Sequence, residues 1–303
     1  MPVHGSHSLL KALGQILLYL AVTVLIGALL APPLYWMAHA AAGHLHSASL
    51  DNFLVRTDFT RFFHRAMTIA ALALLWPLLR MLRIENFGFD LGLVPDRRGW
   101  KRLFAGFLIA LIPTLLLAGV LMLTGAYRLH AHIDFTKALL LPLTAAVATS
   151  LVEEFLFRGA LQGAVRRTTV DTFAVSTVAV LFAIVHFLTP QTAAPPQIHW
   201  WSGLALLPDT FSQFRDPGLL LLGFTSLLIV GVILGYARLK TRSLWMPVGL
   251  HAGWVLCKMS LMELVRHPKA WPWVGPDIVT GLGPLLMLLA TGGVVWWLLK
   301  DTR

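Results

Sequence analysis

The sequence predicts an all-α, polytopic membrane protein of about eight transmembrane helices. Three observations carry this. Hydrophobic side chains make up 57% of the chain and charged ones only 13%, against roughly 45–50% and about 25% in soluble domains. Mean hydropathy is +0.74. The apolar residues fall into runs of about 20, the length a helix needs to cross a bilayer. A disordered chain, a disulfide scaffold and an ordinary cytosolic enzyme are excluded. The lone cysteine, Cys257, lies in an apolar run and can form no internal disulfide.

Taken in order, the spans are about 12–36, 66–82, 103–125, 138–164, 171–188, 218–237, 244–264 and 278–299. Gly and Pro interrupt several of them, as membrane helices allow. Ala38-His39-Ala40 after the first span resembles a small-residue cleavage site. The apolar run before it is longer than a signal-peptide core, so a retained helix is expected. His4, His7, His39, His44 and His46 are scattered over a terminus and a loop and read as solvated. The segment 189–217 carries Pro190, Pro195, Pro196, Pro208 and Pro217, which forbid a regular helix there. Its adjacent Trp200 and Trp201 suit the headgroup layer. That segment reads as an interfacial loop, with a lid or substrate-docking surface as the functional alternative.

The balance of 24 Lys+Arg against 14 Asp+Glu, net +10, would suggest nucleic acid in a soluble protein. Here its placement sets orientation instead. With the N-terminus inside, fourteen basic residues fall on cytoplasmic segments, among them Arg80, Arg83, Arg97, Arg98, Lys101, Arg102, Arg166 and Arg167. Eight fall outside. The bias places both termini in the cytoplasm and leaves no need for a nucleic-acid partner. Three parts are expected: residues 1–100 with two helices and a basic cytoplasmic loop, a catalytic core over 101–265, and a last helix within 266–303.

Ionisable groups at membrane depth are expensive, starting near 2.5–3.5 kcal/mol each, and mark function. This chain has Glu153, Glu154, Arg158, His186, His251, Lys258 and Glu263. Glu154 and Arg158 stand at i and i+4 on one helix face and can pair. Glu153 points about 100° away and has no partner on its own helix, which suits acid–base work. Phe182 and His186 share a face of the fifth span. His251 lies between Gly249 and Gly253, a small-xxx-small pair that lets another helix approach. Counted from the cytoplasmic boundary, Glu153, His186 and His251 lie at about 20, 22 and 13 Å at 1.5 Å per residue. One broad layer therefore holds a carboxylate and two imidazoles, which fits a polar pocket that activates water against a carbonyl. The His-Glu-x-x-His zinc motif and the Gly-x-Ser-x-Gly elbow are absent.

Glu153-Glu154-x-x-x-Arg158, Phe182-x-x-x-His186 and the His251 segment together resemble the three motifs of the CPBP intramembrane proteases, the CAAX-protease and bacteriocin-processing (Abi) family. Phe89-Asp90-Leu91-Gly92-Leu93 resembles the segment that often precedes that core. The resemblance implies a CAAX-protease-like helical core in a bacterial-type cytoplasmic membrane. It implies hydrolysis of a peptide bond in a membrane-anchored protein or peptide, with Glu153 and His186 activating water, Glu154 held by Arg158, and His251 stabilising the oxyanion. Two cofactor states are compatible with it: zinc held by Glu153, His186 and His251, or no metal. The family's third motif usually carries Asn four residues after the histidine, and Val255 stands there instead. Losing one oxyanion donor costs about 10²–10³ in rate. Trp254 and Lys258, the latter at i+7 from His251, are the candidate substitutes, unless Lys258 snorkels outward or pairs with Glu263. Two other function classes remain: an inactive scaffold or bacteriocin self-immunity protein of the same fold, and a proton-coupled transporter.

Overall fold

The computed structural model describes residues 6–42, 57–84, 88, 91–93, 97–188, 190–191, 197–266, 271–275 and 277–302. His4, His44, His46, Phe89, Asp90, Pro195 and Pro196 lie outside the described residues, as does the side chain of His7.

Helices stand at all eight positions the hydropathy marks. They are α1 (Ser6–Ala41), α2 (Phe59–Met81), α3 (Gly99–Leu123), α4 (Thr136–Arg166), α5 (Asp171–Phe187), α7 (Leu219–Thr241), α8 (Trp245–Leu264) and α9 (Leu282–Leu299). Among the described residues a further helix, α6 (Ser202–Leu206), is only five residues long. Six of them (α1, α2, α3, α4, α7 and α9) are long and apolar enough to cross a membrane. The chain is an all-α integral membrane protein. Helix α5 has 17 residues, and α8, which carries His251, Lys258 and Glu263, falls outside those six. The outward faces suit lipid, with Leu17, Leu25, Leu116, Leu123 and Trp297 all exposed.

Two differences from the sequence expectation are local. The segment rich in proline does form a helix. Residues 197–207 are free of proline, which leaves room for α6, and Pro208 then opens a 3₁₀ turn over Pro208–Arg215. Asp209 Oδ2 accepts from the Gln191 N–H at 2.6 Å. Trp200 and Trp201 remain exposed beside it. The second difference is a two-residue antiparallel pairing, Arg128 opposite Arg266 and Leu129 opposite Val265. Ala38-His39-Ala40 is helical, and His39 Nδ1 lies 2.9 Å from the Tyr35 carbonyl oxygen.

The chain divides into two units. One takes in residues 1–84 and 187–216, the other 85–186 and 217–303. In the first, Phe59, Phe63 and Ala66 of α2 pack on Ala28 and Ala31 of α1, with Leu206 of α6 closing the cluster. In the second, α8 lies along α3 and α4. The small-xxx-small pair works as the sequence predicts, and its partner is α3. A Cβ on Gly249 would meet the Leu103 carbonyl oxygen at 2.0 Å, and one on Gly253 would meet that of Phe107 at 2.7 Å. Helices α5 and α7 close together in the same way, with Gly231 against Ala179.

Helix α4 is not regular. Residues Phe155–Leu161 form a π-helical turn directly after the glutamate pair. Such wide turns with i→i+5 bonds are rare and recur at functional sites.

Candidate active site

All the polar residues that the sequence places near mid-membrane, except Glu263, meet partners in the second unit. Arg158 Nη1 donates to Glu154 Oε1 at 3.0 Å, the i, i+4 pair expected. The same oxygen accepts from His251 Nδ1 at 2.8 Å. Arg158 also donates to the Gly231 carbonyl at 3.4 Å, and its Cζ sits 4.3 Å from the Phe182 ring centre. Glu154, Arg158 and Phe182 are each at most 1% exposed, and His251 is 5% exposed.

Glu153 turns the other way, into a second set of contacts. Its Oε2 lies 3.0 Å from His186 Nε2 and 3.8 Å from His251 Nε2. The His186 ring stacks near Phe182, with centroids 4.0 Å apart. Its Nδ1 is 2.9 Å from the Phe182 carbonyl. The side chains of Glu153 and His186 are 25% and 27% exposed. Of the two carboxylate side chains, only that of Glu153 is partly exposed, and its Oε2 is itself buried.

These contacts fix proton positions. A carbonyl oxygen only accepts, so His186 carries its proton on Nδ1. Its Nε2 then faces Glu153 Oε2, two acceptors 3.0 Å apart unless one proton lies between them. Glu154 is bound to a guanidinium that is always charged. His251 Nδ1 lies 2.8 Å from the same carboxylate oxygen, and its Nε2 lies 3.8 Å from Glu153 Oε2. The arrangement sets a nearly fully buried carboxylate–imidazole pair, Glu154 and His251, beside a partly exposed one, Glu153 and His186.

Lys258 does not reach back to this site, nor does it pair with Glu263. Its Nζ forms an ion pair with Asp277 Oδ2 at 2.7 Å. Burial disfavours the Asp277 carboxylate, but the Lys258 ammonium and the Thr280 and Val279 hydrogen bonds outweigh it. The carboxyl is held below its ordinary value. Val255 is partly buried and packs against the apolar cluster of Ala146, Ala252 and Leu256. Trp254 is 3% exposed.

The sequence reading missed Gln162, whose Nε2 donates to the Gly235 carbonyl at 3.0 Å. With Arg158 it ties α4 to two carbonyls one turn apart on α7. Its i+4 spacing from Arg158, in an otherwise apolar run, was the available signal. Asp277 had no local signal, because its partner is 19 residues away in sequence.

A family described as "Type II CAAX prenyl endopeptidase Rce1-like" matches residues 134–257. Over that stretch the chain is similar to the CAAX protease family. The matched stretch holds Glu153, Glu154, Arg158, Phe182, His186, His251 and Trp254, and ends just before Lys258. No curated protein and no solved structure matches the chain. Members of this family act as intramembrane endopeptidases on membrane-associated substrates. Among the described residues, no group of three or more His, Cys, Asp or Glu side chains is arranged to hold a metal ion. The candidate ligands Glu153, His186 and His251 instead make close contacts with one another and with Glu154 and Phe182.

Proposed function

We propose that this protein is an intramembrane endopeptidase that hydrolyses a peptide bond of a membrane-anchored protein or peptide, with Glu153 and His186 activating the water. The observation that carries the reading is the position of Glu153 Oε2, within 3.0 and 3.8 Å of two imidazole Nε2 atoms on a side chain that is 25% exposed. Water held by Glu153 and by His251 Nε2 attacks the scissile carbonyl while Glu153 takes its proton. The tetrahedral intermediate then collapses. The C–N bond breaks, and the proton passes from the Glu153–His186 pair to the leaving amine. General acid–base transfer of this kind contributes about 10²–10⁴-fold. Glu154, fixed by Arg158, holds the His251 ring in the tautomer that leaves Nε2 free to accept. In this scheme His251 positions the water rather than the oxyanion. The basic loops support placing both termini on the cytoplasmic side.

The test expresses wild type beside Glu153→Gln and His186→Ala in membranes and follows cleavage of a prenylated CAAX peptide and of a bacteriocin leader peptide. Wild-type cleavage lost in both variants is expected. Cleavage unchanged in both would end the proposal. Val255 favours a second reading, an inactive scaffold of the same fold. That reading requires partner binding that survives Glu153→Gln and no cleavage by wild type.

A further inference from the structure

We propose that the indole N–H of Trp254 is the oxyanion donor of this site. The inference rests on the endopeptidase reading above and adds a group to it. Hydrolysis of an amide places a negative charge on the carbonyl oxygen, and a preorganised donor there is usually the largest single catalytic contribution. The obvious N–H groups are already committed. His251 Nδ1 is 2.8 Å from Glu154 Oε1, and His186 Nδ1 is 2.9 Å from the Phe182 carbonyl. Both Nε2 atoms face Glu153. Arg158 Nη1 is bound to Glu154 and Nη2 to the Gly231 carbonyl, while its Nε, though unpartnered, sits on a side chain with 0% exposure. Lys258 is paired with Asp277, and Val255 has no donor.

Trp254 Nε1 is an unpartnered donor on the helix that carries His251. It is buried and has no hydrogen-bond partner among the described residues, in a residue only 3% exposed. An indole nitrogen can only donate. Leaving such a donor buried and unmade is costly, and an unsatisfied group in a native interior calls for a reason. Trp254 follows His251 by three residues in α8, which puts the two on one helix face. The donor is thus one turn from the imidazole that holds the water. A substrate carbonyl arriving beside His251 supplies the missing acceptor. It accepts most strongly when it carries the oxyanion charge, so the bond favours the transition state over the bound substrate.

The experiment compares wild type, Trp254→Phe and the protein carrying β-(3-benzothienyl)alanine at position 254. The last keeps the bicyclic shape and lacks the N–H. All three are reconstituted in liposomes with a prenylated CAAX peptide that wild type cleaves, and kcat and KM are measured with the melting temperature. Both replacements should lower kcat by about 10²–10³-fold with KM unchanged. The benzothienyl protein should keep the wild-type melting temperature. A kcat within threefold of wild type for the benzothienyl protein overturns the assignment while leaving Glu153 and His186 untouched. No cleavage of either peptide class by wild type overturns the endopeptidase reading and this inference together. In the Glu153→Gln protein, the ¹⁵N-indole resonance of Trp254 should move downfield when the peptide binds, and an unmoved resonance also overturns it.

Discussion

Replacing Arg158 with methionine tests the electrostatic frame of the site. The guanidinium is 1% exposed and 3.0 Å from Glu154, which is fully buried. At that separation two unit charges attract by about 5.5 kcal/mol with an effective dielectric of 20. Arg158→Met removes this attraction, the bond to Gly231 and the contact over Phe182, but leaves Glu154 in place. Breaking one side of a buried pair costs about 3–5 kcal/mol. In Arg158→Met/Glu154→Gln no net charge stays buried, and the amide oxygen still accepts from His251. The double variant should therefore recover most of the loss, ending about 1–3 kcal/mol below wild type. Unfolding in mixed micelles, titrated with SDS and followed by helical circular dichroism, gives all four corners of the cycle. A single-variant cost below about 1 kcal/mol, or a double-variant cost equal to the sum of the singles within about 0.5 kcal/mol, would refute the pairing argument.

Further outcomes are expected elsewhere in the second unit. Gly249→Ala places a methyl 2.0 Å from the Leu103 oxygen and should destabilise by about 1–3 kcal/mol or more through overpacking. Gly119→Ala, with nothing within 4 Å, should gain up to about 1 kcal/mol of helix propensity, and the same micelle unfolding separates the two. Val255→Asn puts an amide against the apolar cluster of Ala146, Ala252 and Leu256, and its melting temperature should fall by the equivalent of about 1–3 kcal/mol. The native Asp277 carboxyl is held below its ordinary 3.8. Its stabilisation is thus fully present above that value and is lost as pH falls through the lower native one. A melting temperature that drops below about pH 4 in wild type but not in Asp277→Asn would bear this out, and parallel curves would contradict it.

Much of the fold was legible because membrane burial leaves a plain trace. Each long apolar run became a helix. Of the few charges inside the runs, Glu153, Glu154 and Arg158 have partners on other helices. Helical periodicity was enough to pair Glu154 with Arg158 and to aim Glu153 elsewhere. Depth arithmetic was enough to bring Glu153, His186 and His251 into one layer. What was hidden depended on contacts that periodicity does not encode. Lys258 went to Asp277, which lies beyond the end of its own helix. Pairing with Glu263 would have been the local solution. Helix α6 was hidden because prolines at 190–217 dominate the composition, while the gap between them is what folds. The carboxylate contact of His251 needed the approach of α8 to α4, which the glycines announced only as closeness.

The π-helical turn over Phe155–Leu161 gives α4 a phase that its length alone does not explain. A wide turn takes up one residue more than an α-turn before the helix resumes. Everything after it is therefore rotated relative to the glutamates before it. Arg158 and Gln162 reach carbonyls four residues apart on α7 from this rotated frame, while Glu153 and Glu154 keep the unrotated one. The helix thus serves two neighbours at once, with one half indexed to the histidines and the other to the backbone of α7. Deleting a single residue inside the turn would leave an apolar helix of nearly unchanged length that still crosses the membrane. Its two halves would no longer be in step, and the site would be lost without losing the fold.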